Sequence, residues 1–188
     1  MAGTGGAMKF IINESCVLES VEYADGSGIA IPDGVRNIGE GEYCDPVALK
    51  KVTIPGGVTG IGDGAFSGSD WMVDVGIPDG VEFIGNKAFY DCYSLVCVTM
   101  GDGVTSIGDD AFADCNQLES VKLSESLRSI GDRAFKYCES LKCITIPNSV
   151  ERIGEDAFCC CGAGLVIRAP AGSYAERYAA RCNITLGD

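Results

Sequence analysis

Hydrophobic and polar positions along this chain repeat with a fixed period of 23 residues. Within each repeat, a short stretch such as Val52-Thr53-Ile54 alternates apolar, polar and apolar side chains. Such alternation predicts a strand whose apolar side faces a core and whose polar side faces solvent. The clearest marker is the dipeptide Ile-Gly, which recurs without insertion or deletion at Ile38, Ile61, Ile84, Ile107, Ile130 and Ile153.

An aromatic column keeps the same register, and Ala precedes the aromatic residue in its last five copies. A unit of this length cannot bury its own apolar face, whereas stacked units form one continuous core. The pattern therefore predicts a solenoid of six coils rather than a globular fold. The aromatic column consists of Tyr43, Phe66, Phe89, Phe112, Phe135 and Phe158.

Two local predictions concern the turn that follows each strand. The Gly after Ile marks a sharp turn, for which we expect a positive φ. An acidic residue beside it is placed to cap a short helical turn that carries Ala-Phe. The residues expected to act as these N-caps are Asp63, Asp109, Asp132 and Glu155.

The two ends depart from the repeat, as the exposed ends of a solenoid require. At the start, Phe10–Ile12, Val17-Leu18 and the following Tyr23–Gly28 predict a hairpin-like cap. At the end, a Ser173–Glu176 capping box predicts a helix over Tyr174–Cys182. Asn183 is placed to close that helix. The predicted segments are a flexible leader or cloning remnant at 1–7, an N-terminal cap at 8–28, six repeats at 29–166 and a C-terminal cap at 167–188.

The unit Ile-Pro-x-x-Val-x-x-Ile-Gly-x-x-Ala-Phe-x-x-Cys-x-x-Leu-x-x-Val/Ile resembles the BspA-type leucine-rich repeat, and the resemblance runs from Ile29 to Asp188. The ending Ala-Pro-Ala-Gly-Ser-Tyr-Ala-Glu-Arg-Tyr resembles the closing cap of that family. The resemblance implies an α/β repeat solenoid, right-handed, with a parallel sheet on its concave side and short helical turns on the other. It also implies a surface adhesin or recognition module that binds a host, matrix or bacterial surface protein.

Composition excludes several function classes. A net charge of −13 repels phosphate backbones and anionic lipid, which argues against nucleic acid and membrane partners. The absence of His removes Ser-His-Asp and Cys-His catalysis, and no cofactor motif is present, so we predict no enzyme and no cofactor. No stretch is long and apolar enough to span a membrane. The family resemblance implies a cell-surface or secreted protein, but the chain shows no signal peptide, so a cytoplasmic location stays open.

The 11 cysteines fall largely into the repeat register. One column lies just after the aromatic residue, and we expect it to be a ladder of buried free thiols. Four identical stacked positions give no unique disulfide pairing, and Cys159-Cys160-Cys161 lacks the spacing of a zinc site, so we predict no metal site. The column consists of Cys92, Cys115, Cys138 and Cys161.

Two outward columns of the strands form the candidate partner-binding surface on the concave face. A surface of short hydroxyl-bearing residues suits an extended protein partner, although Thr is also simply a good exposed strand residue. Trp71, the single Trp, is either an exposed hot spot or part of a locally repacked core. The alternative function is a structural or accessory cytosolic repeat protein, one subunit of a larger assembly. The candidate residues are Lys51, Thr53, Trp71, Asp74, Cys97, Thr99, Ser120, Lys122, Cys143, Thr145 and Arg168.

Overall fold

The computed structural model describes residues 9–22, 29–39 and 51–187, and all structural statements refer to these residues. The chain winds as a parallel β-solenoid in which each complete coil supplies one longer strand and one two-residue strand. Neighbouring coils are in register at a separation of 23 residues, so that Ile107 pairs with Ile84 on one side and Ile130 on the other. The sequence period therefore becomes the stacking period of the structure.

The two-residue strands form one sheet, called the short-strand sheet below. Each contributes the Ile of the Ile-Gly marker, and this Ile is buried in all six strands. The strands run parallel and neighbour one another in chain order. They are β4 (Asn37–Ile38), β6 (Gly60–Ile61), β8 (Phe83–Ile84), β10 (Ser106–Ile107), β12 (Ser129–Ile130) and β14 (Arg152–Ile153).

The longer strands form a second set of parallel strands, divided into a five-stranded and a three-stranded sheet. Their side chains alternate as the sequence predicts, because Val52 and Ile54 are buried while Thr53 is exposed. The five-stranded sheet begins with the two-residue strand β3 (Ile29–Ala30) and continues with the longer strands β5 (Lys51–Thr53), β7 (Asp74–Ile77), β9 (Cys97–Met100) and β11 (Ser120–Lys122). The three-stranded sheet contains β13 (Cys143–Thr145), β15 (Val166–Arg168) and β16 (Thr185–Gly187).

An antiparallel hairpin precedes the first coil. Its strands are β1 (Lys9–Ile12) and β2 (Val17–Glu22), and β2 then pairs in parallel with β4. The Asn13 side chain accepts a hydrogen bond from the backbone N–H of Ser15 at 2.9 Å, which fixes the turn. The hairpin thus extends the short-strand sheet, whereas the predicted continuation over Tyr23–Gly28 lies outside the described residues.

The centre of the core is a stack of phenylalanine rings, one from each of the last five coils, whereas Tyr43 of the predicted aromatic column lies outside the described residues. Successive ring centroids are separated by 5.0 to 5.3 Å, close to the spacing of hydrogen-bonded strands. The ring planes are within 17° of parallel, so each inner ring is covered on both faces by its neighbours. The stack consists of Phe66, Phe89, Phe112, Phe135 and Phe158.

The segment that carries Ala-Phe-x-x-Cys, called the turn side below, is a run of tight turns, so the predicted helical turn is wrong. Its backbone N–H groups alternate between two kinds of partner: Tyr90 N donates to the Lys87 carbonyl of its own turn at 3.0 Å, whereas Phe89 N donates to the Ala111 carbonyl of the next coil at 2.7 Å. Positive φ angles near 54° at Lys87 and Arg133 turn the chain toward that neighbour. Each coil thereby satisfies its polar backbone partly within its own turns and partly through the next coil.

Two further predictions for this segment are wrong: the acidic residues are not helix N-caps, and the Gly of the Ile-Gly marker does not have a positive φ. The Asp63 carboxylate accepts the backbone N–H of Asn86 in the next coil at 2.7 Å, and no helix follows it. Among the positive φ values, none belongs to a Gly of the described Ile-Gly markers. At Gly131 a Cβ would lie 2.5 Å from the backbone carbon of Gly108, so close coil packing, not φ, requires Gly there.

A single helix among the described residues, α1 (Tyr174–Arg181), follows the last coil and ends one residue before the predicted boundary. The Ser173 hydroxyl accepts the Glu176 N–H at 3.2 Å, as expected for the capping box. Asn183 follows the helix at a φ of 56°, which fits its predicted role in closing the helix. Tyr178 places its ring edge against Phe158, so the helix packs on the last member of the aromatic stack.

Candidate functional site

The outward side of β5, β7, β9, β11, β13 and β15 is called the long-strand face below. Strand register places its candidate residues side by side, because Asp74 pairs with Cys97 and Cys97 with Ser120. The second column is aligned in the same way, with Thr99 beside Lys122 in adjacent strands. The first column contains Lys51, Asp74, Cys97, Ser120, Cys143 and Val166, and the second contains Thr53, Gly76, Thr99, Lys122, Thr145 and Arg168.

Most candidate side chains on this face are accessible. The Cys97 and Cys143 thiols are half-buried, whereas every member of the second column is exposed. Lys51 occupies the first position of β5. The structure therefore groups the predicted residues into one surface two columns wide, with the exception of Trp71. The exposed candidate side chains are Thr53, Asp74, Thr99, Ser120, Lys122, Thr145 and Arg168.

Trp71 belongs to the core and not to the long-strand face. Only 8% of its surface is exposed, so the repacked-core interpretation holds and the exposed hot-spot interpretation is wrong. Its coil departs from the repeat, and burial of a large indole fills the space there with apolar surface. Within the described chain, Trp71 Nε1 is buried without a hydrogen-bond partner, which limits the gain from that burial.

The formal charge of the long-strand face is opposite in sign to that of the whole chain. The chain carries a net charge of −13, yet the charged side chains that the structure describes in the two columns are the basic Lys122 and Arg168 and a single acid, Asp74. The acidic excess lies largely elsewhere, and part of it follows the turns. There Asp110 accepts two hydrogen bonds from Arg133 of the next coil, at 2.9 and 3.0 Å.

The cysteine column is a ladder of free thiols, buried as predicted in its first three members but only partly buried at Cys161. Each thiol also has a hydrogen-bond role that the sequence did not indicate. Each Sγ donates to the carbonyl of a Phe 26 residues earlier, as from Cys138 to Phe112 at 3.2 Å. Burial raises the pKa of Cys138 well above its ordinary value and that of Cys161 to about 12. The Cys138 and Cys161 thiols therefore remain protonated donors at neutral pH. The ladder consists of Cys92, Cys115, Cys138 and Cys161.

Sequence reasoning missed a groove of about 390 Å³ on the outward side of the short-strand sheet. Phe83 stands at one side of it with 43% of its surface exposed, and Arg152 stands at the other. The hydroxyl-bearing Ser106 and Ser129 line the space between them. The available signal was Gly60, one coil earlier, whose missing side chain leaves room for the Phe83 ring.

Comparison with known proteins places this architecture among bacterial repeat proteins. The model of the BspA type leucine-rich repeat region matches residues 36–163 with six copies. A leucine-rich repeat protein of T. pallidum is 28% identical, with 88% of this chain aligned to 70% of that one at a TM-score of 0.61. A leucine-rich cell surface protein of Faecalibacterium prausnitzii is 31% identical, with 90% of this chain aligned to 54% of that one at a TM-score of 0.58.

A third solved structure is also similar to this chain. A leucine-rich repeat protein of Eubacterium ventriosum is 26% identical, with 82% of this chain aligned to 50% of that one at a TM-score of 0.56. This chain thus spans only about half the length of two of these three structures. No curated protein sequence matches it. Among the described residues, no helix has the length and apolar character needed to cross a membrane.

Proposed function

Because this chain belongs to the BspA-type leucine-rich repeat family, we propose that it is a recognition module that binds a protein partner through the long-strand face. We take that face to be the concave side of the solenoid. Leucine-rich repeat proteins generally bind proteins, and their solenoid fold is typically non-enzymatic. The proposal accordingly assigns no catalytic residue and no cofactor to this chain.

The observation that carries the proposal is the exposure and charge of the long-strand face. Thr99 and Thr145 are exposed among short side chains, so an extended partner can approach the strands closely. Lys122 and Arg168 give this face a basic character within an acidic chain. We therefore expect a partner segment with acidic or hydroxyl-bearing side chains, because complementary charge orients and accelerates association.

The proposed setting is the cell surface, where the protein would act as an adhesin. The F. prausnitzii relative is described as a cell surface protein, and it is 31% identical to this chain. This chain covers only 54% of that protein, so a cell-surface location for this chain is part of our proposal. Candidate partners are host, matrix or bacterial surface proteins.

The test is a pull-down against a panel of such proteins, followed by measurement of Kd for each protein retained. The double variant Thr99→Glu/Thr145→Glu adds two negative charges to the long-strand face, and we expect it to weaken binding by about tenfold or more. The matched control is Ser126→Glu/Asn148→Glu, which adds the same charge at two exposed turn positions. Equal affinity of the two double variants would exclude the long-strand face as the binding surface.

A further inference from the structure

The last coil carries cysteines where earlier coils do not. Cys161 belongs to the thiol ladder and donates to the Phe135 carbonyl, so packing of the repeat explains it. Packing does not require Cys159 and Cys160, because their columns accept many residue types. The column of Cys159 holds Ser67, Tyr90, Ala113 and Lys136, and the column of Cys160 holds Gly68, Asp91, Asp114 and Tyr137.

The thiols of Cys159 and Cys160 face each other. Their Sγ atoms are 3.2 Å apart, Cys160 is exposed, and Cys159 is partly exposed. Both thiols are free, so the pair is a dithiol and not a disulfide. A single atom that bonds to two sulfurs can therefore reach both from solvent.

The backbone holds this pair in place without any ligand. The Cys159 carbonyl accepts the Tyr137 N–H at 3.0 Å, and the Cys159 N–H donates to the Asp156 carbonyl at 2.9 Å. Cys160 has a φ of 59°, the left-handed conformation that Asp114 and Tyr137 also adopt in its column. The repeat thus fixes the two Cα–Cβ directions, and a preformed chelating pair binds with a smaller entropy loss than two independent thiols.

Space for the remainder of a ligand lies directly beside Cys160. A hollow of about 210 Å³ is lined by Phe158, Leu165 and Ile184 as well as by Cys160 and Cys161. Asn183 and Thr185 also line it, so its surface is mixed in polarity, and it lies between the last coil and the residues that follow α1. It has room for a small aromatic group carried by the chelated atom, which can contact Phe158, Leu165 and Ile184.

We propose that Cys159 and Cys160 form a vicinal-dithiol site for one trivalent, thiophilic centre, with organic arsenicals as the ligand class. With phenylarsine oxide, two S–As bonds form, the arsenic–oxygen bonds break, and the two thiol protons leave with the oxygen as one water molecule. Arsenic stays trivalent, and its phenyl group occupies the hollow beside Cys160. The site does not suit structural zinc, which needs four ligands, because the described residues contain no cluster of three or more metal-binding side chains.

The test uses the full, reduced chain and one equivalent of phenylarsine oxide. We expect one phenylarsenic adduct per chain, loss of two titratable thiols, and mapping of the adduct to the peptide that contains Cys159 and Cys160. Excess 2-mercaptoethanol should leave the adduct in place, while 2,3-dimercaptopropanol should remove it. This resistance follows from the high effective concentration of the second thiol, so we expect retention to fall about tenfold or more when either thiol is lost.

The variants are Cys159→Ser and Cys160→Gly, which use residues that Ser67 and Gly68 supply in the same columns. These changes therefore preserve the coil, and an unchanged thermal unfolding midpoint checks that they do. The matched control is Cys143→Ser, which removes a half-buried thiol on the long-strand face and should retain the wild-type adduct. Adduct retention in both variants equal to wild type, or an adduct that maps to other cysteines, would overturn the proposal. This test is independent of any protein partner.

Discussion

The turn side and the long-strand face belong to the same coils but carry very different sequences. On the turn side, Phe112 lies between the rings of Phe89 and Phe135, so a change of size affects contacts in two neighbouring coils. On the long-strand face, Thr99 lies between Gly76 and Lys122, and its side chain meets solvent. Packing on two sides keeps a column uniform, whereas exposure allows each coil its own residue. The core therefore carries the fold, and the face is free to carry specificity.

The largest expected effect comes from opening the aromatic stack. Phe112→Ala should destabilise the protein by about 3–5 kcal/mol, because it removes a buried ring and leaves a cavity between two others. Thr99→Ala on the long-strand face should change the free energy of unfolding by no more than about 0.5 kcal/mol. Urea denaturation of both variants measures the difference. Similar losses from the two changes would contradict the contrast between core and face.

The next effect compares two glycines. Gly131→Ala should cost about 1–3 kcal/mol, since its Cβ would press against the backbone of the preceding coil. Gly76→Ala on the long-strand face is the matched control, because no atom lies within 4 Å of the place that its Cβ would occupy. It should change the free energy of unfolding by about 0.5 kcal/mol or less. A comparable loss at Gly76 would show that chain entropy, and not coil contact, governs both positions.

A smaller effect compares two thiols. Cys138→Ala removes the donor to the Phe112 carbonyl and some buried volume, which should cost about 1–3 kcal/mol. Cys143→Ala removes a half-buried thiol from the long-strand face and should stay within about 0.5 kcal/mol. Cys138→Ser, which keeps a donor, should recover part of the loss in the same denaturation experiment. A Cys138→Ser variant no more stable than Cys138→Ala would assign the effect to volume alone.

Much of the fold follows from the sequence because its columns report contacts between neighbouring coils. The 23-residue period predicted the register of Ile107 with Ile130, the aromatic column and the buried thiols. The outward columns of the longer strands also followed, because alternation along a strand determines which side each residue faces.

The features that the sequence did not predict depend on the identity of the neighbour in space. Asp63 resembles a local N-cap, but its partner is the backbone of Asn86 in the next coil, and local capping rules cannot indicate that. Trp71 departs from its column, and whether such a residue packs inward depends on the volume left by its coil. The Phe83 groove likewise depends on space above Gly60, which appears only after the coils are stacked.

The smallest effect concerns Cys159, which lies on the turn side but outside the packed columns. Its pKa is raised first by the hydrogen bond with Cys160 and then by burial. A raised pKa means less thiolate at a given pH, so iodoacetamide should alkylate Cys159 slowly near pH 8 and faster as the pH increases. Cys160→Gly removes the first cause, so the pKa should fall toward its ordinary value and alkylation at pH 8 should accelerate. This increase in the alkylation rate is partly offset, because a thiolate of lower pKa is a weaker nucleophile. Peptide mapping of alkylation over time measures this rate, with Cys143 in the same samples as the unchanged reference. If Cys159 were alkylated at the same rate in the wild-type protein and in Cys160→Gly, the Cys160 thiol would not control the protonation of Cys159.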